Sequence, residues 1–327
     1  MNRRLILFLV AVICLTACEE KKSPYIPDSY SLLPQSDFSL IAFNWHLASI
    51  PAGKNLATRG TLTWFNPYDQ VSIPEIWPWY EITPEVPQRI HVLNFCFDPT
   101  QGISNPIASW HGIMLHLSQD FKNQLAGFQA VEVTIKGDQG RIHFDIGEIS
   151  EDVIPNGKLD NEDKAIMGIR NARLDPGEDI GLDGMAGIDP QDWWDLNNNG
   201  IREPEEPISY DDYAYQMGSN DYRKINGSEG NGYLPDTEDL NSNNQLDNQN
   251  NYFEYSINLD KSSADTVLIR PSVPTNGSGG WHTYRIDLGS PTAIIGNPNP
   301  WKLDFFRIWV DGMPRSGAIS IATIDFK

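Results

Sequence analysis

The sequence predicts a mostly β protein, an antiparallel β-sandwich of jelly-roll-like form that carries a long acidic insertion rich in calcium-type loops. Three observations lead there. Two flanks of the 327-residue chain alternate apolar and polar residues with the two-residue period of half-buried strands, and Pro and Gly punctuate them. Between the flanks, residues 148–247 hold 24 of the 44 carboxylates but only 7 of the 24 Lys and Arg. That middle stretch is rich in Asn, Asp, Gly and Pro and has neither helical nor strand periodicity, which marks a long functional loop system rather than a third set of strands.

The first flank supplies strand candidates at 38–46, 60–65, 88–97, 128–136 and 141–146. In the fourth, Val131, Val133 and Ile135 alternate with Glu132, Thr134 and Lys136. Gly137-Asp138-Gln139-Gly140 reads as a Gly-bounded hairpin turn joining the last two. The second flank supplies candidates at 252–259, 266–270, 281–288, 303–311 and 318–326, and the strand, Gly turn and return strand of 128–146 recur in its last two. The preferred organisation is a signal segment 1–17, a flexible tether 18–36 and one sandwich domain 37–327 with the acidic insertion 148–250. The rival is two small β domains joined by the acidic stretch.

Arg3 and Arg4 precede an apolar run from Leu5 to Leu15, which ends in Leu15-Thr16-Ala17-Cys18. A membrane-spanning helix needs about 20 apolar residues, so this run reads instead as a cleaved export signal with a lipobox. Cleavage before Cys18 and acylation of its thiol predict an exported lipoprotein held at the outer membrane, on its periplasmic or cell-surface face. A net charge of −20 excludes nucleic acid as a partner. Of the other two cysteines, Cys14 leaves with the signal, and Cys96 in an apolar run is expected to be a buried, inert thiol. No disulfide framework is then available, and bound calcium becomes the natural cross-link for long loops.

Calcium takes 6 to 8 oxygens, which a 12-residue loop delivers from alternate positions around a central Gly. The stretch from Asp195 to Glu206 matches D-x-[DN]-x-[DN]-G-x5-E in full, with Asp195, Asn197, Asn199, the carbonyl of Ile201, Glu203 and Glu206 as ligands. Trp193-Trp194 precedes it, and Pro204 and Pro207 break any following helix, so the loop is not an EF-hand and a structural rather than a sensing calcium follows. Two weaker copies offer Asp239, Asn241, Asn243 and Asp247, with Asn244 in place of the Gly, and Asp152, Asn156, Asp160 and Asp163, with apolar Ile154 at the third position. One to three structural calcium ions are expected.

The chain has no G-x-S-x-G, H-E-x-x-H, P-loop or G-x-G-x-x-G, and its six His are scattered, so the expectation is a protein that is not an enzyme. A hydrolase would need a carboxylate pair, and nothing selects one among so many acids. Ten Trp raise a glycan-binding alternative, with Trp77 and Trp79 in a Pro-rich stretch as the stacking pair and the strand tryptophans as core.

An ordered set of motifs resembles a known family. Trp110-His111-Gly112-Ile113-Met114, the strand from Phe128, Gly147-Glu148-Ile149-Ser150-Glu151-Asp152, Gly177-Glu178-Asp179, Pro235-Asp236-Thr237-Glu238-Asp239-Leu240-Asn241 and the strands 281–288 and 303–312 are similar to the repeated soluble domain of the SprA family. These are very large outer-membrane proteins of Bacteroidota gliding motility and type IX secretion. The likeness spans roughly residues 60–327 and covers one such domain without a barrel segment. It implies a stand-alone lipoprotein relative whose partner is an envelope protein or, on the alternative reading, a polysaccharide.

Overall fold

The computed structural model describes residues 40–78, 88–100, 103–125, 127–164, 170–197, 199–260, 268–271 and 280–327. The signal segment, Cys18, the tether and Trp79 lie outside the described residues. Fourteen strands occur among them: β1 (His46–Leu47), β2 (Thr61–Phe65), β3 (Val71–Ser72), β4 (Arg89–Ile90), β5 (Leu93–Asp98), β6 (Trp110–His116), β7 (Ala130–Lys136), β8 (Arg141–Glu148), β9 (Asn251–Asn258), β10 (Leu268–Pro271), β11 (Trp281–Asp287), β12 (Ala293–Ile295), β13 (Phe305–Asp311) and β14 (Gly317–Phe326). Two short helices accompany them, α1 (Ile73–Ile76) and α2 (Gln119–Leu125).

The strands form two six-stranded antiparallel sheets, ordered β1-β6-β13-β8-β9-β12 and β10-β11-β7-β14-β5-β2, with β3 and β4 as a separate pair. Numbered in chain order, the eight central strands β5, β6, β7, β8, β9, β11, β13 and β14 give sheets 2-7-4-5 and 6-3-8-1. That is the double Greek key of a jelly roll. Strands from both flanks interleave in both sheets, and β8 from the first flank pairs with β9 from the second along eight residues, Arg141↔Asn258 to Glu148↔Asn251. The two-domain arrangement is thereby excluded.

Inward residues of both sheets fill one core, including Leu93, Phe95, Ile113, Val133, Phe144, Ile257, Phe306, Ile308 and Ile321. Alternation placed most of these correctly, but four local expectations change. Residues 38–46 are not one strand: Ala42–Asn44 is a 3₁₀ turn, held where Asn66 accepts from Ala42 N (2.7 Å) and donates to the Leu40 carbonyl (2.8 Å). The turn at 137–140 is not a hairpin, because β7 and β8 lie in different sheets and pair instead with β14 and β13, so it arches between the sheets. Cys96 is exposed, since burial of Phe95 and Phe97 turns the residue between them outward. Trp77 is only 2 % exposed, packed with Ile73, Ile76, Val92 and Trp281 on the outer face of the second sheet. An indole there has no face to offer a sugar.

The outer face of the first sheet is also buried. Arg307 on β13 donates to Asp145 of β8 (Nε to Oδ2, 2.8 Å) and to Ser49, and its guanidinium lies 4.7 Å from the Tyr252 ring centroid. Trp309 Nε1 donates to the same Asp145 oxygen at 3.0 Å. One register step along, His143 stacks on Trp309 at 3.6 Å and lies between Asp311 (3.2 Å) and Glu254 (3.0 Å). Burial pushes the His143 pKa down, but hydrogen bonds to Asp311 and Glu254 outweigh it and hold the pKa above the usual value.

Because the folded-state His143 pKa is raised, its contribution to stability is complete below about pH 6.5, the unfolded value, and is lost as pH rises through the folded one. His143→Gln is expected to cost about 2 kcal/mol in urea unfolding at pH 5.5, with the difference from the parent shrinking by pH 8.5. A difference that grows with pH would contradict this assignment.

Candidate metal centre

Residues 149–250 connect two neighbouring strands, and among those described only isolated bridges such as Asn161↔Thr237 and Trp193↔Ile208 supplement turns and bends. Apolar side chains pin the segment to the first sheet. Ile149 joins Ala48, Met114, Tyr252 and Phe305, while Val153, Ile154 and Trp194 pack with Leu56. Ile154, the apolar third position of its loop, is 2 % exposed and serves as this plug.

Each predicted loop is present, and all three share one hydrogen-bond plan. The first Asp accepts the N–H of the sixth residue: Asp195 Oδ2 from Gly200 (2.6 Å), Asp152 Oδ2 from Gly157 (3.2 Å) and Asp239 Oδ2 from Asn244 (2.8 Å). That sixth residue is left-handed in every case, with φ of 72°, 70° and 60°, a conformation that suits Gly or Asn. The fifth-position Asn accepts the N–H two residues on and turns its amide to the ninth-position acid: Asn199 to Glu203 (2.8 Å), Asn156 to Asp160 (2.7 Å) and Asn243 to Asp247 (3.1 Å). Asn197 and Asn241 reach the same acids, Glu203 (3.1 Å) and Asp247 (2.6 Å). The structure thus brings together Asp195, Asn197, Asn199 and Glu203, then Asp239, Asn241, Asn243 and Asp247, then Asp152, Asn156 and Asp160.

Two of the named ligands have other duties, and the side chain of Ile201 is exposed while its N–H donates to Asn199. Glu206 spends both oxygens on the N–H groups of Leu196 (2.9 Å) and Glu203 (3.0 Å), so it braces its loop from below. Asp163 does not close the loop at Asp152. Glu238 occupies that position, accepting from Val153 (2.8 Å), Ile154 (3.0 Å) and Asp160 (3.0 Å), while Asp163 begins a loop of its own.

Two further loops escaped the sequence reading because their parts are not contiguous. In one, Asp163 accepts from Ala172 N (2.6 Å, φ 58°), Asn171 turns to Asp175 (3.0 Å), and Glu178 braces Lys164 and Asp175. In the other, Asp179 accepts from Gly232 N (3.0 Å), Asn231 turns to Asp236 (2.6 Å), and Glu162 braces Gly181 and Asp236. The signal that could have found them is the Glu-Asp dipeptide, which occurs four times, at 151–152, 162–163, 178–179 and 238–239. In each, the Asp starts a loop and the Glu braces the loop started by a partner dipeptide. Glu151 braces the loop at Asp239 and Glu238 the loop at Asp152, and Glu162 and Glu178 exchange likewise.

All five bracing glutamates are buried. Burial pushes the Glu238 carboxyl up to about 8 and those of Glu151 and Glu162 up to about 7, against the opposing effect of their N–H donors. So much buried acid in one segment calls for positive countercharge. A separate group, Asp183, Asp192 and Asp211, has carboxylate oxygens within 4.8 Å of one another. Neither a protein-family model nor a curated relative matches the chain.

Glu238→Ala strands the buried N–H groups of Val153 and Ile154 and the part-buried one of Asp160, and is expected to cost about 3 kcal/mol or more in urea unfolding. Glu205→Ala, on an exposed residue of the central loop that braces nothing by its side chain, should stay within about 0.5 kcal/mol. Equal effects from the two would contradict the bracing role.

Proposed function

We propose that this chain is a non-catalytic, calcium-stabilised lipoprotein module of the bacterial cell envelope, an SprA-like accessory or binding domain linked to type IX secretion or gliding. The single observation that carries the calcium part is the repeated loop plan, in which an Asp, one or two Asn amides and an acid converge around a left-handed sixth residue. That set is all oxygen donors once the amides turn their oxygens inward, which is the chemistry calcium prefers. The envelope part rests on the lipobox at Cys18 and on the ordered motifs shared with the SprA domain.

A second reading, glycan binding, is favoured by Trp301 rather than by the expected Trp77. Trp301 is 81 % exposed at the mouth of a cavity of about 530 Å³ walled by Phe128, Phe253, Tyr255 and Leu288. A broad indole face beside an apolar wall suits a pyranose ring.

Chelation by EDTA is expected to lower the melting temperature by at least about 5 °C, with calcium restoring it; an unmoved transition would remove calcium from the account. In cells, crosslinking followed by affinity purification should recover secretion or gliding components of the envelope. Saturable binding to insoluble polysaccharide that Trp301→Ala abolishes, without such components, would select the glycan reading instead.

A further inference from the structure

Outside the five loops, Asp183, Asp192 and Asp211 bring carboxylate oxygens within 4.8 Å of one another, and Glu229 lies against Asp192. One oxygen of each is tied down: Asp183 Oδ1 accepts from Met185 N (2.9 Å), Asp192 Oδ1 from Trp193 N (2.9 Å), Asp211 Oδ2 from Ser228 Oγ (3.3 Å) and Glu229 Oε1 from Gly187 N (3.0 Å). The remaining atoms, Asp183 Oδ2, Asp192 Oδ2, Asp211 Oδ1 and Glu229 Oε2, are buried with no donor at hydrogen-bond distance, and the Ser209 hydroxyl is the polar group that interacts with Asp192 and Asp211. Asp192 is 2 % and Asp211 8 % exposed. This differs from the loops, where the bracing carboxylates find an N–H for each oxygen.

A buried carboxylate oxygen without a donor is strongly unfavourable, and like charges crowded together add to the penalty. Burial, and then Asp211, push the Asp183 carboxyl up to about 9; burial is also the main cause that lifts Asp211 to about 7. The backbone nevertheless holds the groups close. A side chain at Gly187 would meet Asp192 Cβ at 2.7 Å, so this position admits only Gly.

We propose that Asp183, Asp192, Asp211 and Glu229 bind one divalent cation, calcium, at a site distinct from the loops. An anionic, all-oxygen donor set selects a hard cation, and several protein carboxylates in place of water favour calcium over the more strongly hydrated magnesium. The ion would join the 183–192 stretch to the 209–229 stretch. The latter covers the free edge of β2: Asn226 accepts from Trp64 N and donates to the Trp64 carbonyl (2.8 Å each), and Tyr222 stacks on Phe65 at 3.9 Å. The site therefore holds the cover of an exposed sheet edge in place. It stands whether or not the loops hold calcium.

The test is ion counting by native mass spectrometry on the full chain, stripped with EDTA and reloaded with calcium alone. The expected result is one ion fewer in Asp192→Asn/Asp211→Asn than in the parent, at matching circular dichroism. An unchanged count overturns the proposal and leaves the loops standing, whereas a parent that binds one ion, lost in the variant, upholds this site and overturns the loops. Should the variant not fold, crystals of the parent soaked in manganese decide: an anomalous peak bounded by Asp183, Asp192 and Asp211 supports the site, and its absence overturns it.

Discussion

The structure depends on buried carboxylates that accept backbone N–H groups. The described residues of the roughly hundred between β8 and β9 have no ladder of their own, yet their amides cannot be left unpaired next to the sheet. Five glutamates supply the missing acceptors, each bridging the second and ninth residues of a loop or their neighbours. Each also donates its own N–H to the ninth residue's carbonyl, as Glu238 does to Asp160 and Glu151 to Asp247. The acidity of the segment is thus structural: the carboxylates do the work that neighbouring strands do in a sheet.

Reciprocity makes this cooperative. Glu151 and Glu238 are 87 positions apart, and each accepts N–H groups of the loop that the other's neighbouring Asp begins. The sandwich provides the fixed base on which they meet, because β8 and β9 are paired where the segment leaves and returns, and the outer face of that sheet is paved with Arg307, Trp309, Tyr252 and their partners. A rigid platform with closed loops suits docking or bracing at a surface better than a calcium-driven switch, since the described residues of these loops include no helix pair to be levered open.

Where one face of a strand was polar, the sequence was readable: β7, β9 and β11 fall where alternation put them. β6 was missed because it sets Trp110, Gly112 and Met114 on one face and Ile113 and Leu115 on the other, and so shows no apolar–polar alternation. The arch at 137–140 was misread because local residues specify a Gly turn but not which sheet the next strand joins. Contiguous loops at Asp195 and Asp239 were legible from spacing alone. Those at Asp163 and Asp179 were not, because the chain inserts residues between their ligands, and Asp183, Asp192, Asp211 and Glu229 meet only through tertiary folding.

Residue-resolved hydrogen exchange in calcium and in EDTA shows whether carboxylates together with calcium order this segment, whose described residues lack strands and helices. The amides of Val153, Leu196, Leu240 and Asp160 are expected to be protected in calcium and to lose protection in EDTA while β8 and β13 keep theirs. Free-peptide exchange of those amides in calcium, or protection that EDTA leaves unchanged, would contradict it.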